Sequence, residues 1–215
     1  GMPGPPAAPA RAPSFRQTER SWLVPTVVLV GVALVLGVAG LLIGRSGAGD
    51  LIGGVKDAVR GTSEPVTIPV SQANAFDPFG DDQAENDAAA ANVRDGDPAT
   101  AWTTSSYDNR DITALKPGVG LVLTAERRSR LSQLVLTSPT QGWNAAFYVA
   151  DGDPGSFDAW GEPVATLEGI AAGTVTVDLG NTAGGAVLVW ITDRGDGSAE
   201  NRVTLQEATL RGRPQ

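Results

Sequence analysis

The sequence lacks cysteine and histidine altogether. The absence of histidine excludes Ser-His-Asp and Cys-His nucleophilic machinery, and the absence of both residues excludes the usual structural zinc sites. Any catalysis would have to use carboxylates, hydroxyls, lysine or arginine. Without cysteine the chain has no disulfide framework, so its composition permits export but does not indicate a redox compartment.

Positive charge is scarce in the larger part of the chain. The 215 residues carry a formal net charge of -8, with +3 over residues 1–63 and -11 over residues 64–215. An acidic domain repels phosphate backbones, so these charges argue against a nucleic-acid partner and favour cations. The length and a hydrophobic content of 41% are sufficient for one ordinary domain with a tail.

One long hydrophobic run interrupts a polar N-terminal region. Residues 1–21 are rich in proline and alanine and predict a disordered tail. The next segment, Trp22 to Ile43, carries no charge, and as a helix it would reach roughly 33 Å, enough to cross a hydrocarbon core of about 30 Å. A signal peptide is the competing interpretation, but the run is longer than the usual apolar region and no A-x-A cleavage site follows it. We therefore expect a single uncleaved transmembrane helix, and hence the membrane as a partner.

Residues 44–65 mix glycine with short apolar pieces and predict a flexible juxtamembrane linker. Three basic residues precede the hydrophobic run and three follow it closely. The positive-inside rule therefore gives nearly a tie, and the charges alone leave the orientation open.

From Val66 onward the apolar residues fall into short runs of strand length, separated by Gly, Asp, Asn and Pro. Several runs alternate with period two, as in GTVTVDLG. The candidate strands are 66–70, 119–125, 131–138, 145–150, 163–169, 173–180, 186–193 and 202–212. Only the segment AENDAAAANVRDG is compatible with a short helix. This pattern predicts an all-β fold, an antiparallel jelly-roll β-sandwich over residues 66–213.

The order of four motifs resembles a known family. DGDPATAW, GVGLVLTA, LSQLVLTS and a closing VTLQEATLRG are similar to the discoidin-like, galactose-binding-like domain, also called the coagulation factor 5/8 C-terminal type. More narrowly, FDPFGDDQAEN, DGDPATAWTTSSY and LKPGVGLVL behind a Pro-rich tail and a single span resemble the C-terminal region of actinobacterial MviN-like (MurJ-type) membrane proteins. This resemblance implies a galactose-binding-like fold, an extracytoplasmic domain on a single-pass cell-membrane anchor, and a setting in cell-wall assembly.

The stretch VRDGDPATAW admits two interpretations. Asp95, Asp97 and Thr100 place oxygen atoms on one tight turn, and Ca²⁺ takes about six to eight oxygen ligands. The resemblance adds Glu207, because many such modules close a calcium site with a group from the last strand. The alternative is a turn without metal, in which the aspartates bond the backbone and Trp102 packs into the core. A second DGDP, at residues 151–154, predicts a hairpin loop rather than a second metal site.

Loops at one end of the predicted sandwich contain the candidate ligand-binding residues, since domains of the resembled type bind through such loops. These loops supply Tyr107, Arg110, Trp143, Asn144 and Arg194. Aromatic rings can stack on sugars, and polar groups can reach their hydroxyls. The alternative for Tyr107 and Trp143 is packing at the sandwich edge, while Trp190, among apolar neighbours, is expected in the core.

The chain has no motif for an activated nucleophile, a metal triad or a phosphate loop, so we expect no enzymatic activity and assign no catalytic residue. The predicted function is a non-catalytic, membrane-anchored module that binds a cell-wall glycan or a peptidoglycan-related ligand. The alternative is a docking module that binds an envelope protein and no small ligand. Exposure of Tyr107 and Trp143 in one groove would favour the first function, and separate, buried positions would favour the second.

Overall fold

The computed structural model describes Gly1 and residues 64–215 except Ser198, and these residues form an antiparallel β fold. The strands are β1 (Val66–Ile68), β2 (Val70–Phe76), β3 (Trp102–Thr103), β4 (Val119–Ser138), β5 (Trp143–Ala150), β6 (Ala165–Ile170), β7 (Gly173–Asp193), β8 (Thr204–Leu205) and β9 (Glu207–Pro214). Short 3-10 helices span Asp87–Arg94, Ile112–Ala114, Phe157–Trp160 and Ala199–Asn201. The all-β prediction is confirmed, and the predicted helical segment contains the first of these 3-10 helices.

Hydrogen bonds join seven strands into one continuous sheet, which the long strands β4 and β7 divide into two parts. The register of β4 against β7 breaks between Thr124 and Ser129. Before the break, β4 pairs with β2 and with the second half of β7; after it, β4 pairs with β9 and with the first half of β7. Such breaks bend strands, and bent strands that pass between sheets form the corners of sandwiches. One layer is therefore β2-β4-β7-β5-β6 and the other β1-β9-β4-β7.

The main core lies between these layers, because one apolar cluster contains buried side chains from both parts of the sheet. Leu121 and Leu123 from the first half of β4 belong to this cluster, together with Leu134 and Leu136 from its second half. Val122 has the opposite orientation and belongs to a second cluster. The first half of β4 is thus apolar on both faces, which explains its unbroken hydrophobic run.

The second cluster covers the outer face of one layer. It contains Tyr148, Trp160 and Trp190, with Phe157 packed against it. Because two of these aromatic residues lie in the 3-10 helix Phe157–Trp160, the loop after the second DGDP motif serves as a cover for the sheet. Trp190 is 2% exposed, so its predicted core position is confirmed.

Trp102 on β3 closes the main core from the side. It is fully buried, and its indole N–H donates to the carbonyl of Glu85 at 2.8 Å. β3 pairs with β8, two residues each, and the 3-10 helix Asp87–Arg94 packs beside them. The predicted core position of Trp102 is confirmed, and its N–H ties the loop before the helix to the core.

The N-terminal predictions lie outside the described residues. Apart from Gly1, Glu64 and Pro65, this applies to the tail (1–21), the transmembrane helix (22–43) and the linker (44–65). Within residues 64–215, Ser198 excepted, no helix has the length and apolar character needed to cross a membrane.

Candidate functional site

Two loops meet at one end of the sandwich. β2 ends at Phe76 and β4 begins at Val119, and because these strands are antiparallel neighbours, the end of one lies beside the start of the other. Loop 77–86 follows β2, and loop 104–118 precedes β4. Residues of both loops line a cavity of about 520 Å³, within the range of about 300–1,000 Å³ that small-ligand sites occupy.

The floor of this cavity is a buried polar cluster of Asp77, Glu85, Tyr107 and Lys116. The Lys116 ammonium lies 2.5 Å from Asp77 Oδ2 and 3.7 Å from Glu85 Oε2. The Tyr107 hydroxyl donates to the Glu85 carboxylate at 2.9 and 3.0 Å, and the backbone N–H of Ser105 donates to it as well. Since Asp77 and Glu85 are 4% and 1% exposed, these contacts fix a buried polar floor for the cavity.

Asp77 retains one unpaired oxygen in this floor. Its Oδ2 pairs with Lys116, but its Oδ1 is buried and has no hydrogen-bond partner. The backbone of loop 77–86 packs closely against this carboxylate at Gly80. A Cβ atom at that position would collide with the Asp77 side chain. An unsatisfied buried acceptor costs about 1–3 kcal/mol. Asp77 Oδ1 is therefore the floor atom with most to gain from a donor that a ligand brings.

Two exposed apolar side chains lie at the rim of the cavity. Leu115 is 73% exposed and Phe79 is 44% exposed, and both line the cavity. The Phe79 ring lies edge-on to Phe157 at 5.9 Å and to Trp190 at 6.2 Å, between ring centroids. The second aromatic cluster therefore supports one wall of the cavity while leaving part of the Phe79 ring in solvent.

Burial controls the protonation of the floor. It raises the pKa of the Glu85 carboxyl, opposed by the hydrogen bonds from Ser105 and Tyr107 and by the Lys116 charge. Burial and the neighbouring Glu85 carboxylate also raise the pKa of the Tyr107 hydroxyl. Tyr107 therefore remains a hydrogen-bond donor to Glu85 throughout the physiological pH range.

Arg110 and Arg194 lie together, as predicted, but they hold the loops in place. The Arg194 guanidinium donates to carbonyls of residues 107–109, with the shortest distance at 2.8 Å. Arg110 pairs with Asp193 at 2.9 Å and with Asp196 at 2.6 Å, and the hydrogen bond to Asp193 is the main reason that its pKa is raised. Both guanidinium groups thus have partners within the protein.

Trp143 lies in the core, which corrects the expectation that its indole contacts a ligand. It begins β5, is fully buried and belongs to the main cluster. The backbone there lies against Gly195, where a φ of +76° and the lack of a Cβ permit the close approach. Asn144 is half-buried, and its Oδ1 accepts from the Gly169 N–H at 2.8 Å. With Tyr107 only 7% exposed, the two predicted aromatic contacts do not form an exposed groove.

Three residues of the floor were missed by the sequence analysis, namely Asp77, Glu85 and Lys116. They lie in the motifs FDPFGDDQAEN and LKPGVGLVL. A lysine and two acids in separate polar loops produce no periodic pattern in the sequence. Lys116 and Asp77, which form the ion pair, are 39 residues apart in the chain. The available signal was the density of acidic residues between two glycine- and proline-containing turns, which marks a loop but not a buried ion pair.

The stretch DGDPATAW forms a turn that its own side chains close. Asp95 Oδ1 accepts from the Asp97 N–H at 2.8 Å, and Asp95 Oδ2 accepts from the Thr100 hydroxyl at 2.7 Å. These two bonds, the backbone bond first, lower the pKa of Asp95. Asp97 Oδ1 in turn accepts from the Ala99 N–H at 2.9 Å. The turn interpretation is confirmed in its hydrogen bonds, which by themselves do not require a metal.

Glu207, at the start of β9, places a further carboxylate beside this turn, where a cation could bind. Its Oε1 is buried and has no hydrogen-bond partner. Burial, followed by the charges of Asp95 and Asp97, raises the pKa of Glu207. Oxygen-rich, negatively charged surroundings fit Ca²⁺. In the described part of the chain no three Asp or Glu side chains form a metal-binding group, so Ca²⁺ here would also use the Thr100 hydroxyl and backbone carbonyls.

The chain matches no family model and no curated protein. Among solved structures, the CBM32 module of AlyQ in complex with 4,5-unsaturated mannuronic acid is 11% identical, with a TM-score of 0.49 over 67% of this chain and 97% of that chain. Chitosan-binding module 1 of a chitosanase/glucanase from Paenibacillus sp. IK-5 is 15% identical, with a TM-score of 0.48 over 66% and 94%. A family 89 glycoside hydrolase from Clostridium perfringens is 14% identical, with a TM-score of 0.48 over 67% of this chain and 14% of the enzyme. Two of these three are carbohydrate-binding modules, and none of them assigns the chain to a family.

Proposed function

We propose that residues 64–215 form a non-catalytic carbohydrate-binding module whose site is the cavity between loops 77–86 and 104–118. The observation that carries this proposal is the combination of a buried polar floor and an exposed apolar rim around one cavity. A sugar ring presents hydroxyls at its edge and C–H groups on its faces, so it needs hydrogen-bonding groups and an apolar surface together. Asp77 Oδ1 offers the unpaired acceptor, and Phe79 and Leu115 offer the surface.

The floor is suited to binding because it is already ordered. Lys116 and Tyr107 hold the two buried carboxylates through an ion pair and hydrogen bonds within the protein. A ligand therefore does not have to immobilise these side chains on arrival, which lowers the entropic cost of association. The same contacts occupy the Lys116 ammonium and the Tyr107 hydroxyl within the protein, so the arrangement favours recognition over proton transfer.

The test is retention of the full chain on a glycan array and on peptidoglycan, with Leu115→Ala as the variant. Leu115 is 73% exposed, so its truncation removes rim surface and leaves the core intact. We expect about tenfold weaker binding, comparable with the loss of one well-placed apolar contact. Val66→Ala is the matched control, because Val66 is 52% exposed on β1 and does not line the cavity. Equal effects of the two changes, or no retention of the unmodified chain on any glycan, would overturn the proposal.

One observation favours the second candidate function, docking onto an envelope protein. Tyr107 and Trp143 are 7% and 0% exposed and contribute to the core rather than to a shared groove. If the chain binds a partner protein and no glycan, crosslinkers placed at the rim should capture that protein from intact envelopes. The Leu115→Ala variant should then lose the protein partner while glycan retention stays absent in both forms.

The membrane setting is also part of the proposal. The uncharged segment Trp22 to Ile43 supports a membrane anchor. The resemblance to MviN-like proteins supports display of the module outside the membrane, where cell-wall glycans or peptidoglycan fragments would be its ligands. Alkaline carbonate extraction should leave the full chain in the membrane fraction. Protease added to intact cells stripped of wall should remove residues 64–215. Release by carbonate would contradict the anchor, and protection from protease would contradict the outward orientation.

We propose in addition that Ca²⁺ binds beside the DGDPATAW turn. Asp95, Asp97, Thr100 and Glu207 would hold it, and the unpaired buried Oε1 of Glu207 supports this assignment. A cation that binds only the folded state stabilises it by about 2.7 kcal/mol at one hundred times its dissociation constant. For a folded unit of this size that corresponds to roughly 5–10 °C in melting temperature. The full chain should therefore melt higher in millimolar Ca²⁺ than in chelator, with Mg²⁺ as the control, and equal midpoints would exclude a bound ion.

A further inference from the structure

Negative charge dominates the cavity between loops 77–86 and 104–118. Four carboxylates line it, those of Asp77, Asp81, Asp82 and Glu85. The lining contains one positive group, the Lys116 ammonium. Concave sites lined by one sign of charge concentrate counter-charged ligands, because the surrounding low-dielectric walls focus the field.

Lys116 does not balance this charge at the cavity mouth. Its ammonium is committed to Asp77 and Glu85 in the floor, and its side chain is only 11% exposed. Asp81 and Asp82 are exposed, and neither forms an ion pair with another described residue. The mouth therefore presents two carboxylates to solvent without a cation.

The unpaired oxygen of Asp77 is a second observation, independent of the acidic mouth. Asp77 is 4% exposed, it lines the cavity, and its Oδ1 has no hydrogen-bond partner. An ammonium group carries three N–H donors and forms charge-assisted bonds with carboxylates, which are about twice as strong as neutral hydrogen bonds. It would satisfy this oxygen better than a sugar hydroxyl.

We infer that the cavity selects glycans with free amino groups, such as glucosamine units, over neutral or N-acetylated sugars; this inference rests on the proposed carbohydrate-binding function. The ligand's ammonium lies between Asp77 Oδ1 and the carboxylates of Asp81 and Asp82, and its ring faces Phe79 or Leu115. A lysine-rich peptide has the same charge but no rigid ring. The lining combines these carboxylates with the exposed apolar side chains of Phe79 and Leu115, a surface that a rigid ring matches better than an extended chain.

The experiment measures dissociation constants of the full chain, in a detergent without sugar headgroups, for the tetramer of glucosamine and the tetramer of N-acetylglucosamine. We expect the glucosamine tetramer to bind about tenfold more tightly in dilute buffer, with the preference shrinking as salt is raised, since exposed charges are screened. The double change Asp81→Asn with Asp82→Asn should reduce the preference to within about twofold. Glu162→Gln with Glu168→Gln removes the same charge from exposed positions that do not line the cavity and should leave the preference unchanged.

The outcomes separate this inference from the proposed function. Equal or tighter binding of the N-acetylated tetramer overturns the inference and leaves the carbohydrate-binding function standing. Absence of binding to both tetramers and to every neutral glycan overturns both. Tetralysine serves as the peptide probe: if it binds with the same dependence on Asp81 and Asp82 while the glucosamine tetramer does not bind, the cavity recognises a cationic peptide and the inference is wrong. A preference that survives in the Asp81 and Asp82 variant also contradicts it.

Discussion

Two acidic regions of this molecule bury a carboxylate oxygen without a partner, and they differ in the source of their counter-charge. In the cavity floor, the Lys116 ammonium of the chain itself pairs with Asp77 and lies near Glu85. Beside the DGDPATAW turn, Glu207 is half-buried near Asp95, its Oε1 is fully buried, and it forms no ion pair with any described residue. The first region receives a cation from the chain itself, and in our proposal the second receives one from solution.

This difference indicates which region depends on its surroundings. A buried charge without a partner is costly, and proteins answer this cost by pairing, by metal coordination or by a shift in pKa. The cavity floor uses pairing, so it is available to recognise a ligand without first needing an ion. The Glu207 region shows the shift in pKa, and in our proposal it uses Ca²⁺ where that ion is present.

The largest effect on stability is expected when the buried ion pair in the cavity floor is broken. Lys116→Met leaves Asp77 and Glu85 buried without their cation, and removal of one partner from a buried ion pair typically costs about 3–5 kcal/mol. Urea denaturation should therefore show a strong loss in the free energy of unfolding. Arg128→Met is the control, because Arg128 pairs with Asp151 through side chains that are 49% and 72% exposed, and exposed pairs contribute about 0–1 kcal/mol. Similar losses in the two variants would show that the floor is not a buried pair.

The second prediction tests the proposed dependence of the Glu207 region on an external cation. Glu207→Gln keeps the shape of the side chain and removes the charge that burial, Asp95 and Asp97 all disfavour. In chelator the variant should melt at the same temperature as the unmodified chain or higher. In Ca²⁺ it should lose most of the stabilisation, about 2.7 kcal/mol at a hundredfold excess over the dissociation constant, that the unmodified chain gains. A variant that is less stable in chelator and still responds to Ca²⁺ would show that Glu207 has only a packing role.

The same comparison predicts a pH dependence of defined sign. The pKa of Glu207 is raised in the folded state, so between its ordinary value near 4.5 and the raised value the folded state binds more protons than the unfolded state. Stability from this group is therefore lost as pH rises through that window. In chelator, the difference in melting temperature between Glu207→Gln and the unmodified chain should grow as pH increases from about 4.5 to 7. Glu85, whose pKa is also raised, contributes the same sign in both forms and cancels in the difference. If the difference in melting temperature between the two forms stays constant with pH, the pH dependence of stability does not arise from Glu207.

Much of the fold could be predicted from the sequence, because strand period and turn residues are local signals. The runs around Leu121, Leu134 and Val177 are strands, and Trp102 and Trp190 are buried. The pattern could not show that β4 and β7 continue through a bend into both layers, since that depends on register between distant strands. It also missed β3, a strand of two residues.

The candidate site was harder to predict, because its chemistry depends on contacts between distant loops. The sequence placed Tyr107 in a loop at one end of the sandwich, where it lines the cavity, but an exposed aromatic residue and a buried one look alike in a loop sequence. The indole of Trp143 is buried in the main core, and Gly195 permits the neighbouring loop to pack against its backbone. Asp77 and Lys116 are paired because the end of β2 and the start of β4 are neighbours, which follows from the pairing of the strands.

The smallest effect on stability is expected in the second DGDP motif, which serves as an internal control for the first. Asp153 Oδ1 accepts from the Gly155 N–H at 2.9 Å, as Asp95 Oδ1 accepts from the Asp97 N–H, but the second loop contains no unpaired buried carboxylate oxygen like Oε1 of Glu207. Asn retains the side-chain acceptor, so Asp153→Asn should change the free energy of unfolding by no more than about 0.5 kcal/mol, as is usual for surface substitutions. It should leave the Ca²⁺ response intact, whereas Asp95→Asn should reduce it. Melting curves of both variants in chelator and in Ca²⁺ test this contrast, and a reduced response in Asp153→Asn would mean that the tetrapeptide itself, rather than its position beside β9, recruits the ion.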